Sequence, residues 1–119
     1  FIINVGARFE VIPKPNFNSN EVVLQCIDRI KTILSNGRMQ INGPLDLSGI
    51  ISDLDRLEGV QSIPEFTFIN LHDKEDGYSG NEYDIDKAIK NNILYPSLDP
   101  SVFEVKYPNK DIKGKAVKP

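Results

Sequence analysis

The chain has one histidine, His72, and one cysteine, Cys26, so any catalytic pair of nucleophile and imidazole base must draw on them. A hydrolase or transferase needs its nucleophile held by such a base. Cys26 falls instead on an apolar helical stripe with Val22, Val23 and Ile30, the position of a buried core thiol. His72 stands in a charged stretch just past a predicted strand and reads as an exposed residue, not a general base. Paired carboxylates do acid–base work when their surroundings drive their pKa values apart. Asp53 with Asp55, and Asp84 with Asp86, are adjacent-but-one pairs with nothing evident to separate them. Gly6, Gly43 and Gly49 build neither GxGxxG nor GxxxxGK, the spacings that cradle phosphate. With Asp73 as the first position of an EF-hand-like loop, Glu75 takes the third. Gly77 then falls at the fifth, and Tyr78 occupies the place of the turn glycine. A solvated acidic loop is the simpler reading. No catalytic, cofactor-binding or metal-binding residue is assigned; no enzyme activity, cofactor or small-molecule substrate is expected.

The elements that would position any site are well punctuated. Residues 1–12 read as a strand, with Ile3, Val5, Ala7, Phe9 and Val11 alternating with Asn4, Gly6, Arg8 and Glu10. Asn18 is placed to cap a first helix, with Glu21 three residues on in a capping-box-like arrangement. Its inward stripe is Val22, Val23, Cys26, Ile27, Ile30, Ile33 and Leu34, and Gly37 ends it. Residues 39–42 form a short strand candidate. Pro44 and Asp46 then open a second helix with the stripe Leu47, Ile50, Ile51, Leu54 and Leu57. Gly59 fits a left-handed C′ position, with Val60 folding back on Leu54. Residues 63–71 are a third strand, and Pro64 predicts that it lies at an edge. The fold class expected is α+β: a small mixed sheet in βαβαβ order, two amphipathic helices on one face, and an extended C-terminal arm. Strand order stays open.

Bulk properties bound the function classes. At 119 residues there is room for one modest core. A hydrophobic content of 39% and a charged content of 26% are those of a globular chain. No apolar run approaches the roughly 20 residues of a membrane-spanning helix, so no membrane partner is expected. A net charge of −3 and the lack of a basic, aromatic-interleaved face point away from nucleic acid. A single cysteine excludes an internal disulfide. The chain opens on Phe1, already inside a strand, and its one methionine is Met39; it reads as a C-terminal fragment of something longer.

The division expected is an α+β unit over residues 1–72, an acidic loop over 73–86, and an extended Pro-rich arm over 87–119 within the same structural unit. The arm carries Leu94, Tyr95, Leu98, Val102, Phe103, Val105, Tyr107, Ile112 and Val117, while Pro96, Pro100 and Pro108 forbid one continuous helix. A disordered tail is poor in such anchors. Tyr95, Leu98, Phe103, Val105 and Tyr107 are therefore expected to bury against a sheet edge or helix groove. That surface belongs either to another copy, reached by strand addition, or to the chain's own domain, because small cores recruit any available apolar surface. The acidic loop and the Lys-rich tail, with Lys106, Lys110, Lys113, Lys115 and Lys118, either steer neighbouring copies together or are two solvated segments.

Two stretches carry a family resemblance. Residues 40–70, QINGPLDLSGIISDLDRLEGVQSIPEFTFIN, and residues 83–117, YDIDKAIKNNILYPSLDPSVFEVKYPNKDIKGKAV, resemble the C-terminal region of the baseplate wedge protein of T4-type contractile-tailed phages, particularly marine relatives. The most specific pieces are the joint Leu57-Glu58-Gly59-Val60-Gln61-Ser62, shared more loosely with the J-like baseplate family, and the Tyr-Pro-Ser-Leu-Asp-Pro string. The resemblance implies a structural virion protein of the tail baseplate, assembled in the host cytoplasm. It implies copies of itself and other wedge proteins as partners, linking neighbouring wedges into a ring. The parts of that family upstream of Phe1 are missing. A small ligand-binding or regulatory α+β domain is the alternative, and would show a concave pocket with convergent polar groups.

Overall fold

The computed structural model describes residues 1–35, 40–41 and 43–119. In chain order its elements are β1 (Ile2–Pro13), α1 (Ser19–Ser35), β2 (Gln40–Ile41), β3 (Leu45–Asp46), α2 (Leu47–Asp55), β4 (Val60–Asn70), α3 (Ile85–Ala88), β5 (Ile89–Lys90), β6 (Ile93–Leu94), β7 (Val102–Glu104), α4 (Pro108–Asp111) and β8 (Ile112–Ala116). The fold is α+β, as the alternation of apolar periods predicts.

Helix starts follow from capping chemistry. The Asn18 side-chain oxygen accepts the Glu21 N–H at 3.1 Å, and Asp46 accepts the Gly49 N–H at 3.0 Å at the start of α2. Gly37, the predicted end of α1, lies outside the described residues, as do Met39 and Asn42 of the predicted second strand. Gly59 departs from expectation: its φ is not in the left-handed region, which among the described glycines only Gly43, Gly77 and Gly80 occupy. Glycine is required there for space instead, since a Cβ would lie 2.8 Å from both Phe17 and Val22. The end of α2 is built from successive short turns, Arg56 N–H to Asp53 O and Leu57 N–H to Leu54 O.

The long strand β1 organises the sheet. Along one side it pairs antiparallel with β4, from Val5 opposite Asn70 to Pro13 opposite Val60. Ile63 and Pro64 together oppose Val11 in a bulge of this pairing, between Glu10–Glu65 and Ile12–Ser62. The strand β4 is terminal in the sheet, as Pro64 predicts. Along its other side β1 pairs in parallel with two strands in tandem, β7 against Ile2, Ile3 and Asn4, then β8 against residues 7–11. Between them residues 105–111 leave the sheet. Gly6 marks that break, where a Cβ would lie 2.6 Å from the Asp111 carbonyl oxygen.

The expected βαβαβ order stands, running β1, α1, β2, α2, β4 with the short β3 added before α2, and only the extended arm is corrected. The residues expected to form an extended arm supply β5 to β8, and β2 pairs with β7 rather than with an N-terminal strand. The physical reason is burial: Ile3, Val5, Ala7, Phe9 and Val11 share one apolar cluster with Val22, Cys26 and Ile30 of α1, Leu47, Ile50 and Leu54 of α2, and Phe103, Val105 and Ile112 from the C-terminal third. Both long helices lie on that face of β1. A second sheet of order β3-β6-β5 adjoins it. Its β5–β6 hairpin turns through Asn91 and Asn92, both left-handed with φ of 55° and 59°, the pattern of a type I′ turn.

Candidate protein interface

The residues of potential chemistry are scattered. Cys26 has no exposed surface, and burial pushes its thiol pKa up to about 11. His72 is exposed beside Glu82, with Nδ1 3.6 Å from Oε1. Asp53 meets Arg29 of α1 at 3.0 Å, Asp73 accepts the Glu75 N–H, and Asp84 caps α3 through the Lys87 N–H. These carboxylates hold local turns or bridge helices. Among the described residues no three His, Cys, Asp or Glu side chains gather as metal ligands.

The break between β7 and β8 holds a buried polar cluster that composition does not reveal. Asp111 is 1% exposed. It accepts the Tyr78 hydroxyl at 2.6 Å and the Tyr107 N–H at 3.0 Å, while Arg8 donates to its carbonyl oxygen at 2.6 Å. Burial, then the hydrogen bond to Asp111 and the negative charge of that carboxylate, drive the Tyr78 pKa well above its ordinary value. The predicted acidic loop is therefore only partly solvated. Tyr78 is buried, and the polar face of Asn4 is covered by this segment: the Asn4 side chain accepts the Ser79 N–H at 2.8 Å and donates to Glu104 at 2.8 Å. The segment also ends earlier than predicted, because α3 starts at Ile85.

The five predicted contact residues divide. Phe103 at 0% and Val105 at 4% exposure are core residues of this chain, which answers for them the question of whose surface they bury against. Tyr107 is half-exposed and meets Tyr78 edge-on, with centroids 5.6 Å apart and ring planes at 72°. Tyr95 is likewise part-exposed, at 41%, and Leu98 is fully exposed. Isolated exposed leucines are common, but these two border an open groove of about 890 Å³. Its floor includes Tyr83, Ala88 and Pro96, and Lys87 and Lys90 stand among its lining.

This platform is held from several sides. The Tyr95 N–H donates to Ala88 O at 3.1 Å, and the Tyr95 carbonyl accepts the Tyr83 hydroxyl at 2.6 Å. Burial raises the Tyr83 pKa, and its ring contacts that of Phe103 at 6.2 Å between centroids, tying the groove to the core. Leu94, next to Tyr95, has no exposed surface. The loop beyond is ordered by the Ser97 and Ser101 hydroxyls and flanked by Pro96 and Pro100. An exposed aromatic and an exposed leucine on a preorganised backbone have the make-up of interface anchors, because little freedom remains to be lost on contact. Sequence reasoning singled out both residues from the prolines around them. The second groove of note, about 300 Å³ on the outer sheet face, is bordered by Arg8, Glu10, Glu65, Lys113 and Lys115, with Lys115 3.5 Å from Glu10.

Among known proteins, no family model matches this chain and no curated protein matches it significantly.

Proposed function

We propose that this chain is a structural virion protein, part of a baseplate wedge subunit of a contractile-tailed phage, and that Tyr95 and Leu98 carry one of its subunit contacts. The reading begins from the resemblance over residues 40–70 and 83–117. One observation carries it further: the Tyr-Pro-Ser-Leu-Asp-Pro string, the core of one of the two most specific pieces of that resemblance, is where the fold leaves Leu98 entirely in solvent in a loop tied by the Ser97 and Ser101 hydroxyls. The chain's own core gains nothing from a leucine held there. The partners are copies of the chain and other wedge proteins, the place is the tail baseplate after assembly in the host cytoplasm, and the role is mechanical, not catalytic. A ligand-binding domain is less well served, because the groove lies open to solvent and the Tyr83 hydroxyl in its lining is already donated to the Tyr95 carbonyl.

The test joins assembly with genetics. Sedimentation of the purified chain alone, and mixed with the products of neighbouring tail genes, is expected to show association that Leu98→Asp abolishes without unfolding the chain. A wild-type chain that stays monomeric in every mixture, or a coding sequence lying among metabolic rather than tail genes, would sink the reading.

A further inference from the structure

We propose that the groove beside Tyr95 and Leu98 receives an extended segment of a partner polypeptide carrying an apolar anchor between carboxylates. The inference rests on reading these residues as a subunit contact, and names what covers them. Charge supplies the first argument. Among the described residues, the charged side chains lining the groove are Lys87 and Lys90, and no carboxylate lines it. Lys90 makes no ion pair among the described residues, and the Lys87 ammonium is 3.9 Å from Asp84, both side chains being largely exposed. An exposed pair of this kind is weak enough to give way to an incoming carboxylate.

Backbone geometry supplies the second. The strand β5 is the last in its sheet: Ile89 and Lys90 pair with Leu94 and Ile93 on one side, and no strand lies on the other among the described residues. Ala88 and Lys90 both line the groove, so it runs over the outer face of this hairpin, opposite the buried Leu94, and not along the free edge. An extended segment laid across that face can set an apolar side chain on Tyr95 and Leu98 and its flanking carboxylates on the two ammoniums. A basic segment would meet like charge.

The uniformly ¹⁵N-labelled chain is titrated with two short synthetic peptides, one alternating leucine with glutamate and one alternating leucine with lysine. The glutamate peptide is expected to shift the amide resonances of residues 87–90, 95, 97 and 98 while the lysine peptide leaves them in place. The double variant Lys87→Glu/Lys90→Glu, its fold checked by an otherwise unchanged spectrum, should weaken the glutamate peptide by about tenfold or more. Equal shifts with both peptides would overturn the acidic occupant while leaving an apolar contact. Failure of both, with Leu98→Asp still abolishing association, would overturn this inference but not the subunit contact. Failure of both with no effect of Leu98→Asp would overturn both. Shifts at the same residues that grow with concentration of the chain alone would place a second copy in the groove, against a distinct acidic partner.

Discussion

Asp111 shows how one residue can depend on contacts invisible in its own neighbourhood. It lies between Lys110 and Ile112 in a lysine-rich tail, where an aspartate reads as solvated. In the fold it is almost fully buried and joins two distant residues, Tyr78 and, through its carbonyl, Arg8 of β1, to the nearby Tyr107. Removing the carboxylate with Asp111→Ala leaves the Tyr78 hydroxyl and the Tyr107 N–H without partners, and should cost about 3 kcal/mol in urea unfolding. The raised pKa of Tyr78 also gives stability a pH dependence. A phenol that holds its proton more tightly in the folded state contributes stability that is fully present below its unfolded value, about pH 10, and is lost as pH rises above it. Cys26, raised from 9.0 to about 11, adds a decline of the same sign that begins roughly one pH unit lower. Unfolding free energies of Tyr78→Phe measured across this alkaline range should fall less steeply than wild type above about pH 10 while keeping the earlier decline. Identical slopes would show that Tyr78 does not carry the effect.

At the level of elements, the parts whose signals are local were legible. The alternation over residues 1–12, the Asn18 and Asp46 caps, and the edge position of β4 follow from neighbouring residues alone, and each is found within a residue or two of its predicted place. Gly59 was legible as a necessary glycine but not in its reason, since Phe17 and Val22 approach it from an element more than thirty positions away. The C-terminal strands were the least legible. Each of β5, β6 and β7 has two or three residues, too short to show a period, and prolines lie between them. Yet β8 fills the sheet edge beside Ala7, Phe9 and Val11, with α1 packed against it. A chain ending at Asp111 loses that strand and should show no cooperative thermal unfolding by far-UV circular dichroism. A cooperative transition retained in the truncated chain would mean that β8 is dispensable and that the tail is an arm after all.

For the whole molecule, the five anchors expected to act together separate into two kinds. Phe103→Ala removes a ring with no exposed surface and should cost about 3–5 kcal/mol. Leu98→Asp alters a side chain wholly in solvent and should change stability by less than about 0.5 kcal/mol. Urea unfolding of both variants, set beside the sedimentation of Leu98→Asp, separates a folding role from an assembly role. A large stability loss in Leu98→Asp would remove it as a specific probe of assembly. By itself the sequence determined the α+β class, the two capped amphipathic helices, the absence of a recognisable catalytic motif, and the presence of apolar residues near the C-terminus in need of a surface. Each rests on periodicity, capping or residue type, which act over a few positions. Tertiary structure alone decided that Phe103, Val105 and Ile112 complete the core beside β1 while Tyr95 and Leu98 remain outside. That division depends on which apolar groups reach the unfilled side of one long strand, a matter of three-dimensional packing between segments about a hundred residues apart.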